Sequence, residues 1–400
     1  MHHNRDLEIP HKLEEQFGDK IDFFIREEKL GGIVQLFVDP ETAKNVDPIF
    51  KFYGVSYKDV TKKSWVDPLE KEEEKKKKYF FGDTLDLYVH NSYSDAVEYL
   101  KYISSKHRDL VTLDEIGKSH EKRSIYSITI GYPSGKPKPI IFIESGIHAR
   151  EWATQTSALL LIKYLIEKKD RYKDIYKKID IVIVPNINPD GYIYSRTVEK
   201  FWRCNRNVTN IHKKGVDLNR NFAYKWKNSW DTFETYPGSE PHSEAETKII
   251  IDYIYRNKKL IKGYLALHSF GRHIMTPWNY MKNTYPSDYS DLYSLGEKMK
   301  KSVYDNVIKY DRSNNGKGSG YTLGTGADTL YESYGTSVDF AKWSGVKYVY
   351  TIELFPHRSV DDLIGFHIKN EDVSKAWTEL KYLFIPFMKA IYQEKHYLRV

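Results

Sequence analysis

The chain has 400 residues, of which 40 % are hydrophobic; this is enough for two or three domains with sizeable cores and excludes a mainly disordered protein. Its 62 basic and 55 acidic residues are spread along the chain, so the net charge of +7 is weak support for nucleic-acid binding, and no recognition motif accompanies it. The longest apolar run, Ala158–Ile162, is far shorter than the roughly 20 residues of a membrane span. We therefore expect a protein that binds neither nucleic acid nor membrane.

The single cysteine, Cys204, excludes an intrachain disulfide and a cysteine-based zinc ribbon. Any metal must therefore be held by histidine and carboxylate side chains. The first residues have no apolar segment and are not a signal peptide, so the protein is either intracellular or has lost a leader. The sequon Asn207-Val208-Thr209 is compatible with secretion and leaves glycosylation at Asn207 open.

The predicted elements of the first block form a small α+β unit. Hydrophobic patterning predicts strands at Ile21–Ile25, Ile33–Val38 and Val55–Val60, and a helix over Glu41–Tyr53 that Gly54 ends.

The run Glu70–Lys78 follows, and it predicts a solvent-exposed helix because three glutamates precede three lysines by four residues. It separates a first domain, residues 1–78, from a second, residues 79–400. Its four consecutive lysines are also a site for a trypsin-like protease.

The second block alternates helices and strands, which predicts an α/β layer fold. The pair Ser243 and Glu246 predicts a capping box for a helix that runs to about Arg256. The other predicted helices are Ser94–Lys106, Ala153–Glu167 and Asp372–Tyr392, and the predicted strands are Ser124–Ile130, Ile140–Glu144, Ile179–Val184, Gly263–Leu267 and Tyr348–Leu354.

Two histidines and a glutamate follow or end predicted strands. His148 and Glu151 lie three residues apart beyond the carboxyl end of a buried strand, where α/β folds keep their sites. Such a pair alone is weak evidence, but His268 at the end of another apolar strand offers a third ligand. Two imidazoles and one carboxylate leave the fourth position of zinc to water, which is the catalytic arrangement. Other divalent ions fit such a site as well.

A carboxylate and two arginines complete the chemistry. Glu353 lies in an apolar strand, where it is either a base that takes a proton from water or one half of a buried salt bridge. His268 is likewise either a ligand or a core histidine. Asn219 stands beside Arg220, and Arg203 lies upstream; an arginine fork binds a carboxylate through two hydrogen bonds. A substrate with a free carboxylate near the scissile bond would suit this set.

Together these motifs resemble the funnelin family of zinc metallocarboxypeptidases, in particular the A/B-type procarboxypeptidases that are made as zymogens. The residues that carry the resemblance appear in family order over nearly the whole chain: Ile21-Asp-Phe-Phe24, Tyr53-Gly-Val-Ser-Tyr57, His148-Ala-Arg-Glu151, Asn188-Pro-Asp-Gly191, Val216-Asp-Leu-Asn-Arg-Asn221, His268-Ser269 and Tyr350-Thr-Ile-Glu353.

The resemblance implies a mixed, mostly parallel twisted sheet flanked by helices, after a small open-sandwich activation segment. It implies one Zn²⁺ per chain, a secreted and monomeric zymogen, peptide C-termini as substrates and a trypsin-like activating protease. It also implies residue roles: His148, Glu151 and His268 as zinc ligands, Glu353 as the base, Arg203 on the scissile carbonyl, Asp217 behind His148, Asn219, Arg220 and Tyr331 on the terminal carboxylate, and Arg150 and Phe270 in the next subsite.

The same resemblance places Val338 at the floor of the pocket for the C-terminal side chain. Relatives that remove Lys or Arg carry an aspartate there, so an apolar floor implies a preference for aliphatic or aromatic residues. Gly326 and Asn279 near this pocket leave the choice between a large aromatic and a small aliphatic side chain open. Two alternatives remain beside this one: specificity for Lys or Arg, and a non-catalytic homologue that binds peptide C-termini.

Overall fold

A computed structural model describes residues 8–17, 21–26, 34–38, 40–59, 85–208, 214–229, 233–310, 320–357 and 363–394. The charged run Glu70–Lys78 lies outside these residues. The strands are β1 (Ile21–Arg26), β2 (Val34–Val38), β3 (Val111–Lys118), β4 (Ser124–Ile130), β5 (Ile140–Ser145), β6 (Asp180–Val184), β7 (Ile261–Gly271), β8 (His273–Thr276), β9 (Thr322–Thr325) and β10 (Tyr348–His357).

The helices are α1 (Ile9–Phe17), α2 (Pro40–Tyr53), α3 (Tyr93–Lys106), α4 (Trp152–Glu167), α5 (Lys173–Tyr176), α6 (Pro189–Thr197), α7 (Ala245–Asn257), α8 (Tyr289–Asn306), α9 (Gly326–Thr329), α10 (Ser337–Trp343) and α11 (Asn370–Gln393). The elements predicted from residue 94 onward are present with bounds within two residues, except that β7 and β10 extend up to four residues further.

The N-terminal unit pairs β1 with β2 in antiparallel fashion and covers them with α1 and α2 around a small apolar core. The predicted strand Val55–Val60 is wrong for residues 55–59, which form no strand, and Val60 lies outside the described residues. The cause is the end of α2. Gly54 has a φ of +66°, and the backbone N–H of Val55 donates to the carbonyl of Phe50 at 2.8 Å, so this segment caps the helix.

The second block is built on one eight-stranded sheet in the order β3-β4-β6-β5-β7-β10-β8-β9. The central strands β6, β5, β7 and β10 run parallel to one another. At one side β3 and β4 pair antiparallel, and at the other β8 runs antiparallel to β10. The predicted mixed, mostly parallel sheet flanked by helices is therefore confirmed.

Alternate residues of the central strands pack on opposite faces of the sheet, as the two-residue period of a strand requires. Ile141, Ile143 and Leu265 pack against helices α3, α4, α8 and α11. Phe142 and Tyr264 pack on the other face, with α7 and α10. Burial on both faces explains why these strands read as continuous apolar runs.

Helix α7 does not begin with the predicted capping box, so that prediction is wrong. Its N-cap is Glu244, which makes no side-chain hydrogen bond to the helix. Glu246 instead accepts a hydrogen bond from the backbone N–H of His120 at 2.8 Å, and Ser243 donates to Glu244 at 2.7 Å. A partner 126 residues away determines where the Glu246 carboxylate lies, and no local motif reveals it.

A buried ion pair joins α11 to the sheet. Arg272, between β7 and β8, is 2 % exposed and donates through Nε and Nη2 to Glu379 at 3.2 and 2.6 Å. The hydroxyl of Tyr321 donates to the same carboxylate at 3.0 Å. None of the helices in the described ranges is both long and apolar enough to cross a membrane.

Replacing Glu379 with glutamine is expected to lower the free energy of unfolding by about 3 kcal/mol, because it leaves the Arg272 charge buried without its counter-charge. Urea unfolding followed by tryptophan fluorescence would measure the change. The matched control is Glu371→Gln on the exposed side of the same helix, where we expect a loss below about 1 kcal/mol. Equal losses in the two variants would contradict the argument.

Candidate active site

The three predicted metal ligands meet at the carboxyl ends of two adjacent parallel strands. His148 and Glu151 lie between β5 and α4, and Glu151 is the N-cap of that helix. His268 lies within β7, which pairs with β5. The turn after β5 depends on Gly146, whose φ is +70° and whose missing side chain makes room for Asn186.

Electron-pair donors of these residues converge on one point. Nδ1 of His148 lies 2.7 Å from Oε1 of Glu151 and 3.2 Å from Nδ1 of His268, and Nδ1 of His268 lies 3.2 Å from Oε2 of Glu151. All three residues are buried, and their ligand atoms lie within 4.8 Å of one another. Lone pairs directed at one buried point repel each other unless a cation lies between them, so the donor set fits a zinc ion.

Asp217 fixes the protonation of the first ligand. Nε2 of His148 donates to Oδ1 of Asp217 at 3.2 Å, which leaves Nδ1 with its lone pair for a metal. Burial lowers the pKa of His148 and the charge of Arg203 lowers it further, against the opposing effects of Glu151 and Asp217, which favours the neutral imidazole. Asp217 thus lies beside His148, and its role as the partner of a zinc ligand stays a prediction.

Asp217 also holds Arg203, a contact that the sequence did not reveal. Nε and Nη2 of Arg203 donate to Oδ2 of Asp217 at 3.0 and 2.9 Å. Burial alone would raise the pKa of Asp217, but the charges of Arg203 and Arg220 hold it well below its usual range. Nη1 of Arg203 has no hydrogen-bond partner within the described part of the chain, and the guanidinium lines the cleft.

Asn219 and Arg220 form a single helical turn after Asp217. The backbone N–H of Ser337 donates to Oδ1 of Asn219 at 3.0 Å, so the Nδ2 of Asn219 is left to face other acceptors. Ser337 in turn donates its hydroxyl hydrogen to the buried carboxylate of Glu144. The amide of Asn219 is thus oriented by a residue 118 positions away.

Glu353 lies on β10, directly opposite His268 on β7 and His273 on β8. It lines the same cleft as the three ligands. Within the described residues that cleft is lined by His148, Glu151, Arg203, Asn219, Arg220, His268, Met275, Asn279, Gly326, Leu330, Tyr331, Ser333, Thr336, Thr351 and Glu353. Thr351 could have been found from the sequence, since it precedes Glu353 by two residues on one strand and shares its face.

Three predicted substrate residues stand apart from this lining. Val338 is 2 % exposed and belongs to the buried apolar cluster that also contains Phe142 and Tyr264. Arg150 is 4 % exposed; its Nη1 donates to both oxygens of Glu234 at 2.9 and 3.0 Å, so the structure buries it. Phe270 is half-buried, with its ring 5.0 Å from that of Phe366.

Comparisons with known proteins agree with this site. The family model described as zinc carboxypeptidase matches residues 96–383. The chain belongs to the zinc carboxypeptidase family. It is 34 % identical to carboxypeptidase O from Homo sapiens over 284 residues, 68 % of this chain and 72 % of that protein. It is 32 % identical to carboxypeptidase B from Astacus astacus over 277 residues, 68 % and 88 % of the two chains.

The fold also matches solved structures. The carboxypeptidase A from Helicoverpa armigera superimposes with a TM-score of 0.82 at 26 % identity, covering 99 % of this chain and 97 % of that one. Thrombin-activatable fibrinolysis inhibitor superimposes with a TM-score of 0.82 at 23 % identity, covering 98 % and 97 %, and shows the fold alone. The chain is therefore a zinc-dependent peptidase that acts on peptide C-termini, and His148, Glu151 and His268 could hold its metal.

Proposed function

We propose that the protein is a zymogen of an exopeptidase that removes one C-terminal residue at a time. Residues 1–78 would form the activation segment and residues 79–400 the catalytic domain of a secreted monomer. The observation that carries the proposal is that one cleft is lined by a metal-ligand set, a carboxylate, an arginine fork and an oriented asparagine amide.

The roles follow from these positions. His148, Glu151 and His268 would hold the zinc, which makes a water molecule acidic at neutral pH and polarises a carbonyl group. Glu353 would take a proton from that water and pass it to the amine that leaves when the C–N bond breaks. Arg203 would stabilise the negative charge on the carbonyl oxygen.

The terminal carboxylate of the substrate would be bound by Asn219 and Arg220. Tyr331, which lines the cleft and is 52 % exposed, would close over it. Arg150 and Phe270 were expected in the next subsite. The burial of Arg150 against Glu234 favours a supporting role for this arginine, whereas the partly exposed Phe270 keeps its proposed place.

We propose a preference for uncharged C-terminal side chains, aliphatic or aromatic, because the family resemblance puts the apolar Val338 at the pocket floor; in this structure Val338 is buried and outside the cleft lining. The alternative is specificity for Lys or Arg, for which Asp339 would have to face the substrate. Asp339 is fully buried and accepts hydrogen bonds from the backbone N–H and the amide of Asn279, which favours a structural role. A non-catalytic binding homologue is disfavoured because the proposed ligands and base are all in the cleft.

Incubation with a mixed peptide library, read by mass spectrometry, tests the proposal. Before proteolysis we expect slow trimming; after limited trypsin treatment, single uncharged C-terminal residues should be lost rapidly, and a zinc chelator should stop the loss. A variant with Lys75, Lys76, Lys77 and Lys78 replaced by glutamine should gain much less from trypsin. Loss of Lys or Arg would favour the alternative specificity, and no trimming by a zinc-loaded protein would favour the binding homologue.

A further inference from the structure

One wall of the cleft is an asparagine amide packed against a glycine. Asn279 and Gly326 both line the cleft. A methyl group added at Gly326 would overlap Oδ1 of Asn279, so the amide occupies the volume that a side chain at 326 would need. This part of the cleft wall is therefore polar, whereas an aliphatic side chain at position 326 would make it apolar.

The orientation of this amide is fixed by its neighbours. Nδ2 of Asn279 donates to Oγ1 of Thr336 and to Oδ1 of Asp339, each at 3.1 Å. The backbone N–H of Asn279 donates to both oxygens of Asp339 at 3.0 Å. Rotating the amide by 180° would turn its oxygen toward the carboxylate, where two acceptors would face each other.

The oxygen of the amide is consequently directed away from Asp339 and is left for another donor. Oδ1 of Asn279 has no hydrogen-bond partner within the described ranges. Burial raises the pKa of Asp339 to about 7, with the Asn279 hydrogen bonds opposing the rise, so above that pH the carboxyl group can only accept. The two hydrogen bonds that Nδ2 donates therefore favour the orientation in which Oδ1 points away from Asp339.

The groups that hold Asn279 in place are polar. The backbone N–H of Ser333 donates to the carbonyl oxygen of Asn279 at 2.8 Å, and the Thr336 hydroxyl lies beside the amide. An apolar substrate side chain that fills this space displaces water and leaves Oδ1 without a donor, which is unfavourable. A side chain of equal size that carries an N–H or O–H group restores the hydrogen bond.

We infer that Asn279 determines specificity in this cleft and that it selects C-terminal side chains with an uncharged hydrogen-bond donor over apolar side chains of the same size. Glutamine is favoured over methionine, threonine over valine, and tyrosine over phenylalanine. The inference rests on the proposed exopeptidase function; among uncharged C-terminal side chains it favours those with a donor, whereas the apolar Val338 alone implies aliphatic or aromatic ones.

Peptides that differ only in the last residue test the inference at pH 8 with the zinc-loaded, trypsin-treated protein. For each of the three pairs we expect kcat/KM to be about tenfold higher for the member with the donor, the gain of one well-placed hydrogen bond. A lysine-ended peptide is included and should be the slowest. Equal rates within the pairs, faster release of the apolar member, or fastest release of lysine would each overturn the inference.

Variants and a binding measurement make the test independent of catalysis. Asn279→Leu should remove the difference within each pair while methionine release persists. Ser333→Ala, which deletes a side-chain hydroxyl from the same cleft and leaves the Asn279 amide in place, should keep the difference. N-acetylglutamine should raise the melting temperature of the wild-type protein more than N-acetylmethionine does, and equal shifts would count against the inference even if Asn279→Leu does not fold. If no peptide is trimmed at all, the proposed function itself fails.

Discussion

Replacing Glu353 with glutamine is expected to lower kcat by about 10²–10⁴-fold, the usual contribution of a general base. Glutamine keeps the size and much of the hydrogen bonding of glutamate but takes up no proton. Because β10 is held between β7 and β8 at this position, the strand should keep its register. KM and zinc content should change little, which steady-state kinetics and metal analysis would show.

The control for Glu353→Gln is the same exchange at Glu332, an exposed residue of the neighbouring loop whose carboxylate accepts from the backbone N–H of Lys282 at 3.0 Å. We expect this variant to stay within about twofold of the wild type, since surface substitutions rarely disturb a structure. A Glu353→Gln protein that kept more than a tenth of the wild-type kcat would assign the base to another group.

Exchange of Arg203 for lysine should lower kcat by about 10²–10³-fold, the effect of removing one donor to a developing oxyanion. The guanidinium can bind Asp217 through Nε and Nη2 while Nη1 remains for a substrate carbonyl. A lysine keeps the charge, but its compact ammonium group on a flexible stem cannot bind Asp217 and a substrate carbonyl at the same time through separate, coplanar N–H groups.

For the Arg203→Lys protein, comparison of kcat with KM identifies the step affected. Loss of an interaction made only in the transition state lowers kcat and kcat/KM together, whereas loss of ground-state binding raises KM alone. A rise in KM with unchanged kcat would therefore contradict the proposed role. Melting temperature is measured in parallel, because Asp217 is completely buried and its counter-charge must be preserved.

The sheet could be predicted to a large extent because its central strands are buried on both faces. Runs such as Ile140–Ile143 are apolar without interruption, and this property is visible one strand at a time. The order of the strands and the antiparallel pairing of β8 with β10 depend on contacts between distant segments. The strand predicted after Gly54 is absent for a related reason. A glycine followed by a valine is found both at the C-terminal cap of a helix and at the start of a strand, so the sequence does not distinguish the two.

Some residues of the candidate site could likewise be predicted from the sequence, and others could not. His148, Glu151, His268 and Glu353 were predictable because each lies at or beside the end of an apolar strand. The surroundings of Arg150 and Asn279 were not: Glu234 lies 84 residues from Arg150, and Asp339 lies 60 residues from Asn279. The orientation of each side chain depends on its distant hydrogen-bond partner, and the neighbouring sequence does not predict which residue that partner is.

Because the proposed metal ligands come from separate strands, we expect metal affinity to depend on folding. His148 and His268 lie 120 residues apart in the chain and meet only when β5 and β7 are paired. A chain in which this pairing has not formed offers zinc two donors instead of three, and binding to the assembled set is coupled to folding. We therefore expect the three-donor set to form only after β5 and β7 pair, and retention of zinc during denaturation to report the survival of the central strands rather than of the edges.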